Sequence, residues 1–280
     1  MHNRSKTSLP LILFHGLLSS PQEFGLIAHP LRARGIAHHA ATTPGYTLAT
    51  NVVHPDWRQW RQAAVASIDE IAGDRPVVLG GLCMGGILAA AAALQRRQRI
   101  AGLVLMSPTF TYDGWNVSPL RHLRHLAYWT GLDNVFSVSE CEPYGIKNEK
   151  IRKWVIRELQ ERAQSAVGPA RIPLRALRQA ERMMTEVREH LAELDVPLLV
   201  IHASEDEITS LASVERLVSA LPIKDKQLAV LDNSYHMVTI DNDRQQVAGL
   251  LEAFVKRLTG EQASLHCPSI SDFIPLANAA

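Results

Sequence analysis

Apolar and polar positions fall into blocks along the first hundred residues. The run "LPLILF" (9–14) is almost wholly apolar, the pattern of a parallel strand covered on both faces. Residues 20–35, "SPQEFGLIAHPLRARG", carry amphipathic helical spacing and end at Gly35, a helix stop. "IAHHAATTPGY" (36–46) reads as a strand and then a turn. In "DWRQWRQAAVASIDEIAG" (56–73), Trp57, Trp60, Ala64, Ile68 and Ile71 share one helical face. "RPVVLG" predicts a strand, "MGGILAAAAALQRR" a helix of strong formers, and "IAGLVLMSP" (100–108) another strand. Such alternation predicts an α/β fold: a mostly parallel sheet with helices on both faces.

The pattern changes after Ser107. Residues 109–190 show no strand signal; an aromatic piece, "FTYDGWN", leads into helical stretches such as "PLRHLRHLAYWTG" and "EKIRKWVIRELQERAQ". This predicts a helical cap over 109–190, inserted in a core made of 1–108 and 191–260. "VPLLVIHASEDEIT" (196–209) resumes the sheet, "KQLAVLDNSYHMV" supplies a last strand and its loop, and "RQQVAGLLEAFVKRLTG" a closing helix. Residues 261–280, with prolines among polar and small residues, predict a loosely held tail.

Four segments follow strands, and ligands bind at the carboxyl ends of strands in open parallel sheets. They are His15-Gly16-Leu17-Leu18, Gly81-Leu82-Cys83-Met84-Gly85-Gly86, Glu205-Asp206-Glu207 and Tyr235-His236. The spacing Gly81-x-Cys83-x-Gly85 is that of a nucleophile elbow, where a strained residue needs small neighbours. A thiol there sits at a helix N-terminus, which favours thiolate. The alternative is a buried cysteine without chemistry. His236 is the candidate base and Asp206 the acid that orients it. Asp113 is the rival acid. His38, His39, His122 and His125 read as structural or surface residues. Backbone N–H groups of Leu17 and Met84 are the candidate oxyanion donors, with Gly16 allowing close approach.

Composition narrows the class. The 280 residues suffice for one large α/β domain or two small ones. A net charge of +1 argues against a nucleic-acid partner. Three cysteines, Cys83, Cys141 and Cys267, have no C-x-x-C spacing, which argues against a disulfide framework or a structural zinc site; reduced thiols and a cytoplasmic location are expected. No metal or other cofactor is expected, since the 12 histidines lack ligand spacing. Residues 1–20 have a basic start and an apolar run, as a signal peptide would, but His15-Gly16 interrupts the run and no A-x-A site follows. No stretch approaches the roughly 20 apolar residues of a membrane span.

On "LILFHGLLSSPQEF", "TPGY", "VVLGGLCMGGILA", "PLLVIHASEDEIT" and "SYHMVTIDNDRQQV", the chain resembles the α/β-hydrolase superfamily across most of 9–258. Within it, the chain is similar to small carboxylesterases and monoacylglycerol lipases. The order nucleophile, acid, histidine is the order of that fold. There are two departures. The leading hairpin of many relatives is expected to be shortened or absent. Relatives in this group use serine at the position of Cys83. Cysteine in the same elbow resembles dienelactone hydrolases, polyhydroxyalkanoate synthases and some acyl-transferring thioesterase domains.

The resemblance implies a Cys83–His236–Asp206 triad cleaving an ester, thioester or lactone through an acyl-thioester. Thioesters also react well with amines and thiols, so an acyltransferase using acyl-CoA or an acyl carrier protein stays open. So does a non-catalytic relative that binds a small molecule. Trp115, Leu123, Leu126 and Trp129 of the cap are candidates for an acyl pocket, or else pack the cap onto the sheet. The sequence leaves the oligomeric state open.

Overall fold

The computed structural model describes residues 9–48, 56–165 and 167–260. Cys267 and the expected tail 261–280 lie outside the described residues, as does most of the basic N-terminal stretch. Six parallel strands form the central sheet: β1 (Leu11–Phe14), β2 (His38–Ala41), β3 (Val77–Leu82), β4 (Ile100–Met106), β9 (Leu198–Ala203) and β10 (Lys226–Leu231). Their spatial order is β10-β9-β4-β3-β1-β2.

Alternation along each strand divides the core in two. Ile12 and Phe14 of β1 face one apolar layer, and Leu11 and Leu13 face the other. The first layer holds α2 (Trp57–Ala72), α3 (Met84–Gln95) and α6 (Leu174–His190); the second holds α1 (Gly25–Ala33) and α8 (Arg244–Thr259). The α2 face expected from spacing is buried at Trp57, Trp60, Ala64 and Ile68, while Ile71 is partly buried against it. Asp56 starts that helix: its carboxylate accepts the Arg58 N–H at 2.9 Å. α3 is buried on all sides from Met84 to Ala93, which accounts for its run of alanines.

The topology fixes the site. From β1 the chain moves outward to β2, returns to β3 on the other side of β1, and continues outward through β4. β1 and β3 are therefore neighbours whose connections leave in opposite directions. That is the switch point at which open α/β sheets form a crevice. Phe14 is in register with Gly81, so His15-Gly16 and Cys83 leave the sheet side by side.

Residues 109–190 depart from the strand-free expectation. β5 (Ser137–Ser139) pairs antiparallel with β8 (Arg171–Pro173), and β6 (Gln164–Ser165) with β7 (Gly168–Pro169). These pieces are two or three residues long, too short to show a period-2 pattern. Local geometry makes the second pair: Ala163 has φ +56° and Gly168 φ +136°. The helices of this segment are α4 (Arg124–Thr130), α5 (Glu149–Arg162) and α6. α6 lies within the expected 109–190 segment but packs into the main body, with Ala176, Ala180, Met183 and Val187 buried in the first layer. α7 (Leu211–Ala220) connects β9 to β10.

The elbow depends on two glycines. A Cβ on Gly81 would overlap the Gly85 backbone, and one on Gly85 would overlap the Phe14 carbonyl. Gly85→Ala should therefore destabilise the fold by about 1–3 kcal/mol or more. Gly25→Ala, where a Cβ meets nothing within 4 Å and φ is −55°, should leave stability unchanged or slightly raised. Urea denaturation of the two variants beside wild type measures the contrast.

Candidate active site

Cys83 stands between β3 and α3 with φ +55° and ψ −125°, a left-handed conformation that a cysteine adopts only under constraint. It is the N-cap of α3, so the positive end of the helix lies beneath the thiol. Sγ is 3.3 Å from Thr109 Oγ1. The loop after β10 brings in His236. Its Nδ1–H donates to Asp206 Oδ2 at 2.8 Å, both side chains being almost fully buried. Asp206 Oδ1 accepts from the N–H groups of Ile208 and Thr209 at 2.8 and 2.9 Å, which fixes the carboxylate. His236 Nε2 is buried without a hydrogen-bond partner at ordinary geometry among the described residues. Cys83 is close enough to strengthen the basicity of the ring.

Electrostatics follows from this packing. Burial opposes charge on His236, but Asp206 and Cys83 outweigh it and lift the imidazole well above its usual value. Burial would raise the Asp206 carboxyl; the His236 and His202 rings and the Thr209 N–H outweigh it and hold the group below its usual range. Asp113, the rival acid, instead joins the start of α7. It accepts from Ser210 N–H at 3.0 Å and from the Ser210 and Ser213 hydroxyls at 2.6 Å. The structure thus sets Asp206, not Asp113, against His236.

His15 is buried and holds its own loop. Nδ1 lies 2.8 Å from Gly16 O, Nε2 lies 2.8 Å from Thr47 Oγ1, and the ring stacks on Tyr46. Burial lowers it to about 4, so it is a neutral strut at physiological pH. Leu17 and Met84 both line a cavity of about 840 Å³ that also reaches Cys83 and His236. Met84 opens α3, where a helix leaves its first N–H groups unpaired. From the 109–190 segment, Leu123 and Leu126 line this cavity. Trp115 and Trp129 do not. Trp115 donates Nε1–H to Glu205 O at 3.0 Å and packs edge-on against Tyr235, and Trp129 is 84% exposed.

Sequence reasoning missed three cavity residues. Thr109 touches the thiol. Glu207, read only as flanking acidic turn, has Oε2 accepting the His236 N–H at 3.1 Å, and burial lifts it to about 7. Glu23 accepts the Gly16 N–H at 2.7 Å and is pushed by burial to about 8, against the Gly16 N–H, Ser19 and His236. One signal for Glu23 was available. It falls four and eight residues before Ile27 and Leu31, on the apolar face of that segment, where an acid has to find a buried partner.

A doubly wound parallel sheet, a strained residue between β3 and α3, and an acid–histidine pair on the loops after β9 and β10 define an α/β-hydrolase. The comparison with known families agrees. Residues 6–243 match the hydrolase family described as serine aminopeptidase, S33, and the chain belongs to that family. It is 20% identical to a carboxylesterase of Bacillus subtilis (strain 168) over 251 residues, 89% of this chain and 92% of that one. Among solved structures, it is similar to a metagenome-derived lipolytic enzyme, with TM-score 0.71, 22% identity, and coverage of 89% of this chain and 94% of the other. It is also similar to the monoacylglycerol lipase of Paleococcus ferrophilus, with TM-score 0.71, 20% identity, and coverage of 90% and 95%. No helix among the described residues is long and apolar enough to cross a membrane.

The buried acids set the pH dependence of stability. Glu23 and Glu207 hold protons in the folded state well above the usual glutamate value of 4.5, as His236 does above 6.5. Between about pH 5 and pH 8 the unfolded chain binds fewer protons at these groups, so their contribution falls as pH rises. Asp206 acts oppositely, its contribution being lost as pH falls through its lowered value. His15 and His202, lowered from 6.5 by burial, also act oppositely, their contribution growing as pH rises to that value. Thermal melts should therefore show a lower Tm at pH 8 than at about pH 6.5, with a separate loss in strong acid. A Tm that climbs steadily across the neutral range would contradict the assignment.

Proposed function

We propose that this protein cleaves carboxylic esters, thioesters or lactones through an acyl-Cys83 intermediate, with His236 as base and acid and Asp206 as its orienter. The observation that carries the reading is the 2.8 Å His236–Asp206 bond, which leaves Nε2 free on the side of a cysteine held at φ +55°. Family membership and the esterase and lipase relatives support ester cleavage.

The chemistry follows from the geometry. Asp206 holds the Nδ1–H and favours the charged ring, so Nε2 takes and keeps the thiol proton, leaving a thiolate beside an imidazolium. The thiolate attacks the acyl carbon, and charge moves to the carbonyl oxygen beside the N–H groups of Leu17 and Met84. Collapse expels the leaving group, which takes the proton back from His236. Water, activated by the same imidazole, then hydrolyses the thioester.

The cavity suggests the acyl group. Its wall beyond Cys83 is apolar, built from Leu120, Leu123, Leu126, Ile172 and Leu177. Such a lining suits a medium or long hydrocarbon chain, and residues 109–173 then act as a cap over it. A thioester intermediate also leaves acyl transfer to an amine, alcohol or thiol within the chemistry of the site.

Intact-mass spectrometry during reaction with an activated acyl ester, and then with an acyl-CoA, tests the reading. Wild type should gain one acyl mass that decays in water, and Cys83→Ala should gain none. An adduct that persists until an amine, alcohol or thiol is added would make the protein a transferase. No adduct and no turnover with any donor would leave the elbow without chemistry. Asp206→Asn should keep the adduct but slow its formation by about 10⁴-fold, through the wrong imidazole tautomer.

A further inference from the structure

Glu23 lies in the cavity wall and has no part in the scheme above. It sits in the single 3-10 turn Pro21–Phe24 that precedes α1, and only 1% of its surface is exposed. Its Oε2 accepts the Gly16 N–H at 2.7 Å, and Ser19 also bonds to the carboxyl. Oε1 lies on the side of the nucleophile. A Cβ placed on Gly16 would sit 3.2 Å from Glu23 Oε1 and 3.8 Å from Cys83 Cβ, so the two atoms flank one point at the mouth of the oxyanion loop. The same cavity touches Glu23, Leu17, Cys83, Met84 and His236.

An acid in this position is neutral at physiological pH, since burial raises its proton affinity to about 8. A carboxyl oxygen that accepts an N–H bond acts as the carbonyl oxygen, which leaves Oε1 to carry the proton. The other titratable groups facing it leave this state intact. His15 is neutral, its value lowered to about 4, and Tyr46 keeps its proton far into alkali. Cys83 and His236 face the carboxyl across the cavity. Glu207 and Glu140, which line the same space, are both raised by burial.

Resting on the acyl-Cys83 reading, we propose that Glu23 is a further catalytic residue: as a neutral acid it donates Oε1–H to the acyl oxygen, beside the N–H groups of Leu17 and Met84. No proton leaves it. As the S–C bond forms, the carbonyl π pair moves onto oxygen and is shared with three donors instead of two. When the C=O bond reforms, the bond to the leaving group breaks and His236 supplies that group's proton. An ionised Glu23 would set a negative charge against the developing oxyanion and slow the step.

The test measures acylation of Cys83 by p-nitrophenyl butyrate, whose leaving group needs no proton, from about pH 6 to about pH 9. Release of nitrophenolate and the acyl mass are followed together for wild type, Glu23→Gln, Glu23→Ala and Cys83→Ala. Glutamine keeps an acceptor for Gly16 and a neutral donor for the substrate. It should acylate at near the wild-type rate at the acid end and escape the fall that wild type shows above about pH 8. Glu23→Ala should be slower by about 10²-fold with KM little changed, the cost of one lost oxyanion donor. Glu23→Gln as slow as Glu23→Ala would mean that the charge is needed, and would overturn the proposal. A Glu23→Gln profile with the wild-type alkaline fall would overturn it too, as would Glu23→Ala at the wild-type rate. If the alanine variant does not fold, the glutamine profile decides alone. An adduct that survives in Cys83→Ala defeats the nucleophile and the Glu23 proposal with it; failure confined to the Glu23 variants defeats only the latter.

Discussion

Everything at the site depends on how closely α3 is pressed against the end of β1. Gly85 touches the Phe14 carbonyl and Gly81 touches the backbone of Gly85, so no side chain fits at either position. That contact turns the chain sharply enough to hold Cys83 at φ +55° and point its thiol out of the sheet. It also brings the His15-Gly16 loop beside the helix N-terminus, because Phe14 and Gly81 are in register. Cys83 and the His15-Gly16 loop are thus placed by one packing constraint, and the strain at Cys83 is sustained by the buried layers around it.

The acid–histidine pair is held by different means. β9 and β10 deliver Asp206 and His236 from the far half of the sheet, and the polar groups around them are satisfied one by one. Asp206 takes two backbone N–H bonds and one imidazole bond; His236 is held through its own N–H by Glu207. A buried polar network of this kind is rigid only when its members are paired. His236 Nε2, the atom that would handle the proton, and His202 Nδ1 have no partner at ordinary geometry among the described residues.

The cavity combines two environments that rarely coexist. Its wall under residues 120–177 is mainly apolar, while its floor carries Glu23 and Glu207, which burial raises to about 8 and about 7. A charged carboxylate would be costly there, but a neutral acid offers a directed donor at little electrostatic cost. The low dielectric of this apolar cavity is also what changes the character of these glutamates.

The sheet, its helices and the four loops that bear the site were legible because each rests on local signals. Apolar runs of strand length, the Trp57–Trp60–Ala64–Ile68 face, the glycine spacing around Cys83 and the placement of Asp206 and His236 after strands all carry short-range physical causes. Tertiary structure decided the rest. Whether Asp206 or Asp113 meets His236 depends on a pairing about 30 residues or more apart along the chain, which spacing cannot rank; the strand register settles the geometry. The two small sheets within 109–190 are too short for a periodic signal: β6 and β7 meet locally, but β5 meets β8 only through the tertiary fold. Leu123 and Leu126 line the cavity while Trp115 and Trp129 do not, because Trp115 lies in a turn tied to Glu205 O and Trp129 is exposed. Glu23 shows the division best: the sequence places an acid on an apolar face, but only the fold brings it beside Cys83 and, by burying it, raises its proton affinity.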